Sequence, residues 1–243
     1  MIFIYDLETT GLEKDDDDII EICVVNHIDD THYTTLVQSE LDNSAVHINH
    51  ITRDMYQEKG VPLETMVTSL IRFIGHEDCY LIAHNNDNFD QGFLTRAFQK
   101  VEMTVPLQWK FIDSLKISRT LHPTWKRHNL ATVVKNIKSQ RDNNSLDTLV
   151  LNSHRSYDDV KCLQYVFSYW LESHSIEELH EISVNAVMEK MPFGKHKGVH
   201  LSKIPVDYIR WMKSQGILER DHEISKGLAK FQPQIKNLLA NNS

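Results

Sequence analysis

The sequence has little cysteine, no overall basic excess and no long apolar run. Only Cys23, Cys79 and Cys162 are present, an odd number without metal-ligand spacing. That excludes a disulfide framework and a cysteine zinc site, and it points to reduced, buried thiols in a cytoplasmic protein. No apolar stretch approaches the ~18 residues that a membrane-spanning helix needs. The N-terminal residues Met1-Ile2-Phe3-Ile4-Tyr5-Asp6 lack a basic region and a cleavage site, so no secretory signal and no membrane partner are expected. Repeats are absent, and the one low-complexity run is the acidic stretch at residues 15–18. The apolar fraction of 41% is enough for a real core. The 243 residues fit one large domain, or one domain with a small appendage.

The net charge of −8 excludes broad attraction to nucleic acid through bulk positive charge. The sum hides an asymmetry. Residues 190–213 hold six Lys and Arg against one acid, Asp207, a local +5. Residues 1–189 carry −14. An acidic body suits a cleft that gathers carboxylates around cations, and a basic tail can supply phosphate attraction.

Residues 2–6 read as a strand ending in an acid. Residues 19–25 and 32–37 read as two more, joined by short turns into an antiparallel meander. Residues 64–75 have helical spacing, with Met66, Leu70, Phe73 and Ile74 on one face. A short strand follows at 80–83, a helix near 90–100 and a strand near 109–112. Helices near 129–138 and 156–172 complete an α/β pattern with a mixed sheet. Ser175 and Glu178 have capping-box spacing, so another helix starts there. The expected organisation is a catalytic domain over 1–174, a helical linker over 175–189 and a small basic module over 190–243.

Asp6-Leu7-Glu8 closes the first strand. Alternation puts both carboxylates on one face. Burying two unpaired acids side by side is costly, and a divalent cation removes that cost. Alone, such a pair is more often an ordinary solvated strand end. Here Thr9-Thr10-Gly11 and Ile19-Ile20-Glu21-Ile22 follow, and the whole resembles the first motif of the DEDDh, or DnaQ-like, 3′→5′ exonucleases. Leu81-Ile82-Ala83-His84-Asn85, then Phe89-Asp90-Gln91-Gly92-Phe93-Leu94, resembles the second motif. Two extra residues separate Asn85 from Phe89, as in the three-prime repair exonucleases. Asp87 and Asp90 are therefore both candidates, and the apolar Phe89, Phe93 and Leu94 favour Asp90. His154-Arg155-Ser156-Tyr157-Asp158-Asp159 resembles the third motif, a His five residues before an Asp. Adjacent acids on a helix point about 100° apart, so one of Asp158 and Asp159 faces the cleft, and the motif selects Asp159. Phe111-Ile112-Asp113-Ser114-Leu115-Lys116 and His128-Asn129-Leu130 are weaker echoes of the same family. The resemblance spans residues 1–172.

The resemblance implies a ribonuclease-H-like fold with a mixed five-stranded sheet flanked by helices. It implies two-metal phosphodiester hydrolysis, with Asp6, Glu8, Asp90 and Asp159 as ligands and His154 as general base. Hard carboxylate oxygens suit two Mg²⁺ ions, with Mn²⁺ able to substitute. Thr9 and Asn85 are candidates for positioning the 3′ end. Leu12 either wedges against the last base pair or anchors a turn. The expected activity is a 3′→5′ exodeoxyribonuclease acting on single-stranded or duplex DNA ends, in DNA repair or degradation. An exoribonuclease, or a proofreading subunit associated with a DNA polymerase, are the alternatives. A second copy of the chain, as a homodimer, and a polymerase are the candidate protein partners. The complete set of acids and His argues against a binding-only protein.

Beyond residue 190, Phe193-Gly194-Lys195-His196-Lys197-Gly198 and then Pro205-Val206-Asp207-Tyr208-Ile209-Arg210-Trp211 resemble the small C-terminal module of the exonuclease X type. Lys195 and Lys197 are candidates for phosphate contact. An aromatic among Phe193, Tyr208 and Trp211 is a candidate for stacking on a base; the favoured expectation is that all three form the core of this very small fold.

Overall fold

Alternation decides where the side chains of the first strand go. In the computed structural model, which describes residues 1–141, 155–220 and 222–240, β1 (Ile2–Thr9) sends Phe3, Tyr5 and Leu7 into one core and Ile4 into another. Asp6 and Glu8 share the parity of Ile4 and so lie on its face. β1 is central. It pairs antiparallel with β2 (Ile19–Asn26), which pairs antiparallel with β3 (His32–Leu36). On its other side it pairs parallel with β4 (Cys79–Ala83), which pairs parallel with β5 (Trp109–Asp113). The order β3-β2-β1-β4-β5 is the mixed five-stranded sheet expected from the motifs. The register of β1 on β2 shifts between Glu8 and Thr9, and such an irregularity re-aims a strand end.

Two short helices, α1 (Val46–Asn49) and α2 (Arg53–Lys59), follow the meander. Then α3 (Leu63–Ile74) and α4 (Asp90–Lys100) cover the face holding Phe3, Tyr5 and Leu7. The opposite face, with Ile4, Ile82 and Ile112, is covered by α5 (Ser114–Leu121), α6 (Leu130–Arg141) and α7 (Ser156–Leu171). Trp170 and Phe167 of α7 are fully buried there, and each such side chain contributes roughly 1.5–3 kcal/mol by leaving water. The three cysteines are buried and unbridged. No helix among the described residues is long and apolar enough to cross a membrane.

Helix α8 (Ile176–Asn185) starts with the expected capping box: Ser175 N–H donates to Glu178 Oε2 (2.8 Å), and Glu178 N–H donates to Ser175 Oγ (3.2 Å). Its role differs from the expected linker. Leu179 is buried with α7, and Ser183 Oγ accepts from the Asp113 N–H (2.8 Å). The first compact unit accordingly runs Met1–Val184 and the second Asn185–Ser243.

In the second unit α9 (Val206–Ser214), α10 (Ile217–Arg220), α11 (His222–Phe231) and α12 (Lys236–Ala240) surround an aliphatic and methionine core. Met191, Leu201, Ile209, Met212 and Leu228 are buried in it. This corrects the expected aromatic core. Phe193 and Trp211 stand outside, 37% and 47% exposed, because aliphatic residues already fill the interior. Tyr208 only flanks it.

Candidate metal centre

β1, β4 and β5 run parallel and end at the same edge of the sheet, where open α/β folds gather their sites. Asp6 and Glu8 reach that edge from β1. Asp159 reaches it from the first turn of α7, on the face that Asp6 and Glu8 share. One oxygen from each of Asp6, Glu8 and Asp159 lies within 4.8 Å of the others.

Asp90 approaches from the other side, at the start of α4. It is 2% exposed, and its carboxylate accepts from the Leu7 N–H, so it touches β1 between Asp6 and Glu8. Its Oδ1 is buried with no hydrogen-bond partner. Asp87, the competing acid in the same loop, is exposed and pairs with Lys116.

The electrostatics report crowding. Burial pushes Asp6 well above the ordinary carboxylate range, and the charges of Asp90, Asp159, Glu8 and Glu21 push it further. Burial raises Glu8 to about 8 despite a hydrogen bond from Asn49. Burial raises Asp90 to about 8, with Asp113 adding to it and the Leu7 N–H opposing. Desolvated like charges this close have one natural counterpart, a divalent cation. The donor set fits one: all ligand atoms are hard carboxylate oxygens, and Asp90 brings an oxygen that no protein group satisfies.

A second layer holds the acids in place. The loop before Asp90 is pinned by Asp113, which caps α5. Asp113 Oδ1 accepts from the N–H groups of Asn85 (3.0 Å) and Leu115 (2.9 Å), and Oδ2 accepts from the Asp87 N–H (3.3 Å). Tyr5 Oη donates to Asn86 Oδ1 (2.5 Å). On the other flank Glu21 of β2 clamps the start of α7. It accepts from Arg155 Nε (3.2 Å) and Nη2 (2.5 Å), and from Ser156 N–H (3.1 Å) and Oγ (2.9 Å). Buried Asn49, in the α1 turn, donates to Glu8. These groups carried no role in the motifs. Glu21 and Asp113 stood inside recognisable segments, but only the fold shows what they hold; Asn49 gave no periodic signal.

The remaining expected residues fall as follows. His154 lies outside the described residues. Thr9 is buried, and its hydroxyl donates to Gly11 O (2.5 Å), which ties the turn after the motif. At Gly11 a Cβ would sit 2.4 Å from Asp17 Oδ2, so a larger residue would displace the Asp17 carboxylate from the turn. Leu12 is 79% exposed just beyond. Asn85 adopts a left-handed conformation, φ 72°, where Asn is better tolerated than most residues. Lys195 and Lys197 belong to the second compact unit.

A family model described as Exonuclease matches residues 3–167. The chain belongs to this exonuclease family. Its motifs are those of the DEDDh, DnaQ-like branch. A second model, named for a quorum-sensing-regulated virulence factor, matches residues 179–221. Among curated relatives, the DNA polymerase III PolC-type of Mycoplasma genitalium is 29% identical over 191 residues, 76% of this chain and 12% of that protein. That of Halalkalibacterium halodurans is 34% identical over 167 residues, 65% of this chain and 10% of that protein. The chain thus spans about a tenth of the length of these relatives. Two solved structures share the ribonuclease-H-like fold. Exonuclease X in complex with 5′-overhanging duplex DNA matches with a TM-score of 0.53 at 23% identity, covering 75% of this chain and 99% of that one. An Escherichia coli exonuclease I complex with single-stranded DNA matches at 0.57 and 16% identity, covering 74% and 44%.

Proposed function

We propose that the chain is a metal-dependent 3′→5′ exodeoxyribonuclease that releases nucleoside 5′-monophosphates. The observation that carries this reading is the meeting of Asp6, Glu8 and Asp159 within 4.8 Å beside the unsatisfied oxygen of Asp90, inside a matched exonuclease family. Asp6, Glu8, Asp90 and Asp159 would hold two Mg²⁺ ions, with Mn²⁺ as a substitute. Bound there, the ions supply Lewis-acid polarisation of the phosphate and acidify a water. The carboxylates would keep the ions at the end of β1. His154 is the base that takes the proton from the attacking water, a role that suits an imidazole near neutral pH. Asn85 and exposed Leu12 are the candidates for contact with the 3′ end, whereas buried Thr9 acts through the turn it ties at Gly11.

The solved structures of similar fold include DNA complexes, which supports DNA as substrate. The PolC-type relatives favour one alternative, proofreading beside a polymerase, over a free-standing repair or degradation role. The test is incubation with Mg²⁺ or Mn²⁺ and 5′-labelled DNA and RNA oligonucleotides, single-stranded and duplex. The expected result is a ladder shortening from the 3′ end on DNA. A ladder on RNA alone would replace the substrate, and no ladder with either metal would reject the activity.

A further inference from the structure

The first unit is acidic, and charge alone does not draw a polyanion to it. The second unit differs in sign and in surface. Residues 190–213 carry a net +5, and two large aromatic side chains, Phe193 and Trp211, are left in solvent. Trp211 belongs to a contiguous row of three rings. Trp211 stacks on Tyr208 with centroids 5.1 Å apart and planes at 30°. Tyr208 meets the edge of His196 at 4.6 Å. His196 sits between Lys195 and Lys197 in a tight turn that starts at Gly194. That turn needs glycine twice over: Gly194 has φ 68°, and a Cβ there would lie 2.5 Å from Tyr208 Oη. The turn is therefore pressed onto the aromatic row and presents both exposed lysines at its end. Neither lysine is paired with an acid among the described residues.

We propose that Lys195, Lys197 and the exposed face of Trp211 form a binding surface for single-stranded DNA: the lysines take phosphates and Trp211 stacks on a base. Exposed aromatic faces beside unpaired cations match a strand that offers bases and phosphates alternately. A folded acidic protein would use the cations but leave the stacked rings without a planar partner. The surface rests on the exonuclease reading for its choice of DNA, but its test does not need catalysis.

Binding of a fluorescent 30-nucleotide single-stranded DNA by the full chain is measured by anisotropy in EDTA, over a salt series. Lys195→Gln with Lys197→Gln should flatten the slope of log affinity against log salt by about 1.4, at roughly 0.7 per phosphate contact. Trp211→Ala should weaken binding by roughly five- to a hundredfold, and Trp211→Phe should restore most of it. All three side chains are exposed, and a thermal melt checks that each variant folds. An unchanged salt slope and affinity in the lysine pair variant would overturn the surface. Equal losses with Trp211→Phe and Trp211→Ala would overturn stacking. An RNA 30-mer bound more tightly than DNA, with the same sensitivity to the variants, would overturn the choice of strand. If the unaltered chain does not shorten DNA in Mg²⁺, the activity fails while the binding series still decides the surface.

Discussion

Glu21 offers the sharpest test of how the fold builds the site. It is 2% exposed in β2, and it receives four hydrogen bonds from Arg155 and Ser156 at the start of α7. Replacing it with Ala removes every acceptor at once. Ser156 is fully buried, so its N–H and hydroxyl lose their partner without gaining water. A buried donor left unmade costs about 1–3 kcal/mol. The Arg155 side chain is 41% exposed and can rehydrate, so its share is discounted. The sum is about 2–5 kcal/mol, or roughly 5–15 °C in the melting temperature of a unit this size. Glu21→Gln keeps one acceptor oxygen and should lose less than half as much. The functional consequence is separate. Asp159 lies three residues beyond Ser156, so loosening this end of α7 should raise the Mg²⁺ concentration needed for half-maximal activity. Urea and thermal melts followed by circular dichroism read the first effect, and a Mg²⁺ titration of activity reads the second. A loss below about 1 kcal/mol with unchanged Mg²⁺ dependence would refute the clamp.

Three further outcomes are expected. Asp6→Asn should abolish activity, yet stabilise the metal-free protein by about 1–3 kcal/mol, because it removes one charge from a crowded cluster; the order should reverse in Mg²⁺, which binds only the unaltered site. A less stable Asp6→Asn protein in EDTA would reject the crowding. His154→Ala should slow turnover by roughly 10²–10⁴-fold while leaving Mg²⁺ dependence unchanged, and full activity across the pH range would remove it as the base. His84 should make stability fall on acidification. Burial lowers its pKa to about 4, and its Nε2 must donate to His128 O (2.8 Å), so Nδ1 is left to accept from Ser114 Oγ (2.8 Å). The folded pKa is below the unfolded one, so the stabilising contribution is complete above pH 6.5 and is lost as pH falls towards 4. At about 1.36 kcal/mol per unit the loss is about 3 kcal/mol. Unfolding free energies of the chain and of His84→Gln from pH 7 to 4 measure it by difference, and parallel curves would refute it.

Much of the site was legible in one dimension, because the chemistry needs particular residue types at short spacing. Asp6 and Glu8 are two apart on a strand, and strand alternation alone puts them on one face. The third motif singled out Asp159, and the spacing of Phe89, Phe93 and Leu94 favoured Asp90. The mixed sheet and the capping box at Ser175 were also readable from local pattern. What pattern could not supply was anything joining distant segments. Glu21 and Ser156 are 135 residues apart, and nothing local marks their contact. Asp113 looked like the end of a strand until the loop before Asp90 folded onto it.

The second unit divides the same way. The sequence by itself determined its charge and its glycine-bracketed turn, because those are properties of composition and of backbone steric limits. Only tertiary packing decided that Phe193 and Trp211 face solvent, since a core takes the side chains whose volumes fit together, and here the aliphatic set filled it. Packing likewise decided that α8 closes the first unit, through Leu179 and Ser183. Above all, the sequence listed four acids, and the sheet edge brought Asp6, Glu8 and Asp159 within reach of one another, with Asp90 bonded to the Leu7 N–H beside them.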